Sequence, residues 1–259
     1  DLAFDMFQSL NATGTPLTSF EVFKPRIVQA VPTESYHTQI EPQVRRIEEV
    51  IGAAITSEDK QKNTANIIHR SALTYDGSII TQKFTSERKW LEKKLEAFDP
   101  NSIVAPTKKL VSFIADHADY WNHFIRPRNP RADAESFTLV NYLVKLGLNS
   151  QQSNKAAFCI FYLKDSNHSM AHTVLSTFFS KLKRSPISSE ENVKAASDFF
   201  EACLATTAFF TLWKGAGASG FPDQEYRELF SDITSNMSIE RGTTNQNIGF
   251  LKERFRIFL

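Results

Sequence analysis

Glycine is scarce in this sequence, at 9 of 259 residues, and there are only two cysteines. Few glycines mean few sharp turns, which argues against an architecture of many short strands and towards packed helices. The two cysteines, Cys159 and Cys203, have no metal-ligand spacing and each lies in an apolar run. That excludes a disulfide framework and fits buried free thiols in a reducing cytosol. Charge of one sign is also lacking: the formal net charge is +1, so no global basic field draws the chain to nucleic acid, and any such contact must be local. No stretch reaches the roughly 18 consecutive apolar residues of a membrane span. No export signal with a charged head and an apolar core is recognisable. What the sequence does have is phenylalanine, 22 residues of it, within a composition ordinary for a globular protein. The length suffices for one large core or two small ones.

Apolar residues recur at helical spacing along nearly the whole chain. The stripes are Ala3, Met6, Phe7 and Leu10; Ile40, Val44, Ile47, Ile51 and Ile55; and Phe84, Leu91, Leu95 and Phe98. They continue as Leu110, Ile114, His117, Trp121, Phe124 and Ile125, then Val140, Leu143 and Val144 closed by Gly147, then Ala171, Val174, Leu175, Phe178 and Leu182. Ser188 with Glu191 has the form of a capping box. The apolar residues from Phe199 to Trp213 go round the full circumference, the pattern of a central buried helix. Asp223 stands where it can cap a helix carrying Tyr226, Leu229, Phe230 and Ile233, and Ile248, Leu251, Phe255 and Phe258 follow. "GSIITQKF" and "AFCIFYL" are each readable as a strand or as a buried helical turn. The spacing predicts an all-α, irregular multi-helix bundle of about ten helices, given a mean helix of about 11 residues, with at most one minor hairpin. Loops are expected near Pro32 to Pro42, Asp99 to Pro106, Arg126 to Asp133, Lys183 to Ser189 and Gly215 to Asp223.

The opening stretch specifies a corner. A helix through Leu10 ends at "NATG", where Gly14 can take the left-handed conformation. A second begins at Thr18, which can cap it, with Glu21 returning the bond. Pro25 should kink that second helix. The same stretch, "FQSLNATGTPLTSFEVFK", resembles the segment F-x-x-[IL]-N-x-x-G-x-x-L-[ST]-x-x-[ED]-[LV]-x-[KR] of the GmrSD-type family of bacterial anti-phage, modification-dependent restriction proteins. Phe7, Leu10, Asn11, Gly14, Leu17, Thr18, Glu21 and Lys24 fall in place. In that family the segment closes a ParB-like nucleotide-binding domain, a long helical region follows, and many members end in an HNH-type nuclease.

The resemblance implies that residues 1–31 are the C-terminal end of such a domain and residues 32–259 the helical domain. It implies a cytoplasmic parent protein that uses GTP or another NTP with Mg²⁺. This region would pack on its own N-terminal domain and any C-terminal domain, and in places on DNA, with no membrane partner. Asn11 would line the nucleotide pocket in the full-length protein. The family's upstream elements, of Gln-Arg-x-Trp and Asp-Gly-x-Gln-Arg type, do not occur in this chain, so no complete active site is expected within it.

Other patterns carry less. "GAGASG" at Gly215 to Gly220 spells a dinucleotide fingerprint, but helix precedes it and Phe221-Pro222 follows, so it reads as an interhelical loop. "HFIRPRN" misses the nuclease spacing by one residue and lies on an amphipathic helix. His168 and His172 are four apart and could share a helical face; two polar histidines near a helix start are the commoner case, and no metal site is assigned. Arg126, Arg128 and Arg131 sit on a loop stiffened by Pro127 and Pro130, where guanidinium groups could meet DNA phosphates; a solvated loop is the alternative. Lys181, Lys183 and Arg184 read as an exposed basic face. The acidic residues of "ERKWLEKKLE" read as i,i+4 surface support. Two functions stay open: the helical region of a restriction-type defence protein, and a structural or protein-interaction helical domain.

Overall fold

The computed structural model of the chain describes residues 16–126, 132–217, 220–231, 237 and 248–259, with the backbone alone for residues 132–137. Every regular element among these is helical. There are eleven α-helices and no strand: α1 Ser19–Ala30, α2 Glu41–Gly52, α3 Ser57–Asp76, α4 Phe84–Glu96, α5 Val104–Tyr120, α6 Ala132–Lys145, α7 Ser150–Asp165, α8 Ala171–Arg184, α9 Glu190–Gly215, α10 Asp223–Ser231 and α11 Ile248–Phe258. A short turn, Thr33–Ser35, and a π-helical turn, Tyr36–Ile40, precede α2; a 3₁₀ turn, Pro100–Ser102, precedes α5; and a π-helical turn, Trp121–Ile125, follows α5. No helix among the described residues is long and apolar enough to cross a membrane.

The chain divides into two compact units. The first comprises Asp1–Ala72 and Ile79–Ala118; the second comprises Leu73–Ser78 and Asp119–Leu259. Of the three borders, one falls within α3, one in the segment between α3 and α4, and one within α5.

In the first unit, α1 starts as its sequence specifies. The Glu21 amide donates to Thr18 Oγ1 at 3.3 Å, and the Thr18 amide donates to the Glu21 carboxylate at 2.9 Å, which satisfies two orphan donors reciprocally. The helix does not stop at Pro25, which lies on its exposed side, where a carbonyl that loses its partner can meet water. Phe20, Phe23 and Ile27 of α1 are fully buried, as are Ile40, Val44 and Ile47. The segment from Pro32 to Pro42 is helical rather than a loop. Pro32 is an N-cap and Pro42 lies in the first turn of α2, positions where a missing N–H costs nothing. Helix α2 ends at Gly52, so Ile55 leaves the predicted stripe and is 96% exposed.

The second unit has one large apolar cluster to which α6 to α11 all contribute. "AFCIFYL" is part of α7, while "GSIITQKF" is neither strand nor helix until Phe84 opens α4. Gly147 ends α6 at φ +109°, and the Leu148 amide reaches back to the Leu143 carbonyl at 3.2 Å. A Cβ on Gly147 would collide with the Asn192 side chain. Asn192 is a clasp. Its Nδ2 donates to the Leu146 carbonyl and to Ser185 Oγ, both at 3.1 Å, and its Oδ1 accepts from the Ser188 amide at 3.3 Å. That use of Asn192 corrects the expected cap: Ser189, not Ser188, caps α9, accepting from the Asn192 amide at 3.0 Å, and Ser188 takes φ +68°. Helix α9 is also less central than its apolar content suggests. Phe199, Cys203, Phe209 and Phe210 are buried, but Val193, Leu204 and Leu212 are exposed.

Candidate functional site

Of the residues proposed to bind nucleotide or DNA, only Arg126 lies within the described residues; Asn11, Arg128 and Arg131 lie outside them, as do the stripe from Ala3 to Leu10, Gly14 and Ile233. Arg126 closes the π-helical turn Trp121–Ile125, its amide donating to the Trp121 carbonyl at 2.9 Å. Turns of this kind widen the helix by one residue and are frequent at functional positions.

Around that turn the second unit gathers polar side chains from three helices. Lys183 Nζ of α8 lies 3.0 Å from Asp119 Oδ2 and donates to the Tyr142 hydroxyl at 3.2 Å. The Tyr142 ring stacks on His123, with centroids 3.8 Å apart and planes 17° from parallel. The Tyr120 hydroxyl meets His172 Nδ1 at 2.9 Å in the fully buried layer beneath. Burial pulls the Lys183 ammonium down, but the Asp119 carboxylate and Tyr142 outweigh it, and its pKa lies above the ordinary lysine value. Lys183 is therefore a fixed cation already matched to a carboxylate. It can orient Tyr142 and hold the stack on His123; it is no general base.

One sequence expectation is corrected in part: the basic residues of α8 are more than a solvated face, although the Lys181 side chain is 40% exposed and Arg184 is exposed. Lys181 shares the buried carboxylate of Asp198 with Lys194, at 3.3 and 2.8 Å, and Lys183 is half-buried on Asp119. Sequence reading missed Asp119 and Tyr142, because neither lies in a motif and their proximity to Lys183 depends on where α5 and α6 meet α8. The only signal was Asp119 following His117 on a strongly periodic helix.

The two histidines of "HSMAH" do not share a helical face. His168 precedes α8, after Asn167 in the left-handed region, and His172 lies inside α8. The His168 ring is sandwiched between Phe210 at 4.4 Å and Phe221 at 5.1 Å, with Tyr226 at 5.0 Å. Burial, and then the Lys214 ammonium, pull its pKa down to about 4. Asp223 Oδ1 lies 4.0 Å from Nδ1, beyond hydrogen bonding and open to water, so it does not hold a proton on the ring. Among the described residues no group of three or more His, Cys, Asp or Glu is placed to hold a metal ion. "GAGASG" begins at the last residue of α9, and Gly217 has φ +83°. With a helix rather than a strand before it, it lacks the setting of a phosphate cradle.

The acidic residues of α4 divide in two. Arg88 and Glu92 form the anticipated i,i+4 pair at 3.4 Å. Glu87, by contrast, is buried in the first unit, where its carboxylate accepts from the Ser19 hydroxyl at 2.6 Å. Burial pushes its pKa up, and the Ser19 bond offsets that only in part.

Comparison with known proteins finds no family model and no curated protein that matches the chain.

Proposed function

We propose that the chain is the helical region of a bacterial anti-phage defence protein of the modification-dependent restriction type. In this reading it supports nucleotide-dependent DNA recognition or cleavage carried by other domains, and it acts by docking rather than by chemistry of its own. One observation carries the reading. Of the four residues that bear the resemblance and lie within the described chain, three have committed side chains around one helix start: Thr18 and Glu21 cap each other, Glu21 also takes Lys60 at 2.6 Å, and Lys24 takes Glu48 at 2.6 Å, while the fourth, Leu17, accepts from Gln61 at its carbonyl. A segment fixed so completely suits the junction between a nucleotide-binding domain and the helices that follow it. GTP or another NTP, with Mg²⁺, would bind upstream with Asn11 at its pocket. DNA phosphates would meet the loop of Arg126, Arg128 and Arg131, in the cytoplasm.

The test uses the full-length protein. Nucleotide titration and fluorescence anisotropy with modified duplex DNA should show nucleotide-dependent binding. Arg126→Ala should lower the affinity equally for all sequences and flatten its salt dependence, as expected of a phosphate contact. Binding indifferent to nucleotide and to Arg126 would defeat the proposal. A second reading, a protein-interaction helical domain without a nucleic-acid role, is favoured by how many cations are already paired. Lys24, Lys60, Lys181, Lys183, Lys194 and Arg46 each face a carboxylate within 3.3 Å.

A further inference from the structure

The first unit contains a cleft of about 300 Å³ between α1, α4 and the 3₁₀ turn before α5. Its floor is apolar: Leu95 and Ile103 are buried, and Phe98, Ala30 and Pro100 complete the lining. The charged and polar residues of its lining are Arg26, Gln29, Glu92 and Glu96. Small-molecule sites of this size usually combine an apolar wall with a few polar groups that fix orientation.

Those polar groups are underused. The Arg26 guanidinium makes no hydrogen bond among the described residues; its one charged neighbour is Glu92, whose Oε1 lies 3.7 Å from Nε. That leaves the terminal Nη pair, the edge that takes a carboxylate in two parallel bonds. Glu92 is balanced by Arg26 on one oxygen and by Arg88, at 3.4 Å, on the other. Gln29 and Glu96 have no side-chain partner among the described residues, and both are exposed. The cleft thus offers a guanidinium, a carboxamide, an unmatched carboxylate and an apolar floor.

We propose that this cleft binds a small zwitterion with an apolar side chain, namely a free aliphatic or aromatic α-amino acid. Arg26 and Gln29 take its carboxylate, Glu96 its ammonium, and Leu95, Phe98 and Ile103 its side chain. Charge complementarity selects the free amino acid over a peptide end. A chain terminus brings one of the two charges and would leave either Arg26 or Glu96 unmatched.

The test is binding of L-phenylalanine and L-leucine to the whole chain, followed by isothermal titration and by amide chemical shifts. Saturable binding is expected for both, with shifts at Arg26, Gln29, Glu96 and Phe98. N-acetylphenylalanine, which lacks the ammonium, and phenylalaninamide, which lacks the carboxylate, should each bind at least about tenfold more weakly, the scale of one lost charge-assisted pair. Arg26→Met should abolish discrimination against phenylalaninamide, and Glu96→Gln that against N-acetylphenylalanine. Both side chains are exposed, so both variants should keep the parent melting temperature, and a melt of each verifies it. No saturable binding of either amino acid would overturn the proposal. So would equal affinity for the two blocked analogues and the parent, which would mark an unselective apolar cleft.

Discussion

The two units solve the same packing problem with different residues. The first is mainly aliphatic inside, around Ile27, Ile40, Val44, Ile47, Ile67, Ile68, Leu91 and Leu110, and it fastens its surface with ion pairs such as Lys24–Glu48, Lys60–Glu21 and Arg46–Asp116. The second is built on rings. Tyr120, Phe124, Phe179 and Phe199 pack edge to face and tilted, and Phe209 stacks on Phe255 at 4.4 Å with planes 1° apart. Each unit also buries a titratable group whose pKa burial shifts, Glu87 upward in the first and His168 downward in the second. Aromatic packing concentrates stability in a few large side chains, whereas aliphatic packing spreads it over many. The buried groups then give the two units opposite responses to pH.

The comparison is most easily broken at Phe199, which touches Phe124 and Phe179 and is fully buried. Phe199→Ala should lower unfolding free energy by about 3–5 kcal/mol, against about 0.5–1.5 for Ile47→Val in the first unit. Urea denaturation of both variants checks this, and similar losses would mean that the rings carry no special share.

His168 and Glu87 sharpen it next. The folded state holds His168 neutral, its pKa at about 4 being well below the ordinary value near 6.5. Its contribution is complete above the unfolded value and is lost as pH falls from there through about 4, on the order of 2–3 kcal/mol in all. Replacing the ring by another apolar one, His168→Phe, should flatten the melting profile across that window. Glu87 is shifted the other way, so its contribution is complete below the unfolded carboxylate value and is lost as pH rises through the elevated folded one. Glu87→Gln keeps an acceptor for Ser19 and should stabilise the protein at neutral pH while leaving it unchanged in acid. A melt of each variant at pH 4 and pH 7 separates the two. Slopes of the same sign would refute the assignment.

Smaller effects are expected at the start of α1. Thr18→Ala should cost about 1 kcal/mol through the lost cap. Lys24→Ala, which removes a partly exposed pair with Glu48, should cost at most about 1 kcal/mol and less in high salt.

How much of this was legible depends on the range of the interaction. Thr18 with Glu21, Gly147 as a helix closer, and the burial of Leu110, Ile114, His117 and Phe124 are local, and the sequence pattern reveals them. Ile55 misled because periodicity continues past Gly52 while the helix does not. Glu87 misled because it stands among lysines and arginines yet faces Ser19, sixty-eight positions away in the chain. The Asp119–Tyr142–Lys183 cluster and the Asn192 clasp depend on which helices meet, which spacing within one helix does not encode. Nor does any shift in composition mark the borders of the two units. Of the residues proposed to bind nucleotide or DNA, the structure describes only Arg126.

The two buried thiols have a practical consequence. Cys159 on α7 and Cys203 on α9 are free and buried, and burial pushes both above the ordinary thiol value; Cys203 lies well above it, with Cys159 as a nearby second contributor. Almost no thiolate exists in the closed form, so alkylating reagents can act only on molecules in which these helices have parted. Labelling rates in native buffer would therefore serve as a clock for that opening, with its hands inside the ring-built unit. A ligand or partner that tightens this unit would slow the clock without touching either sulfur.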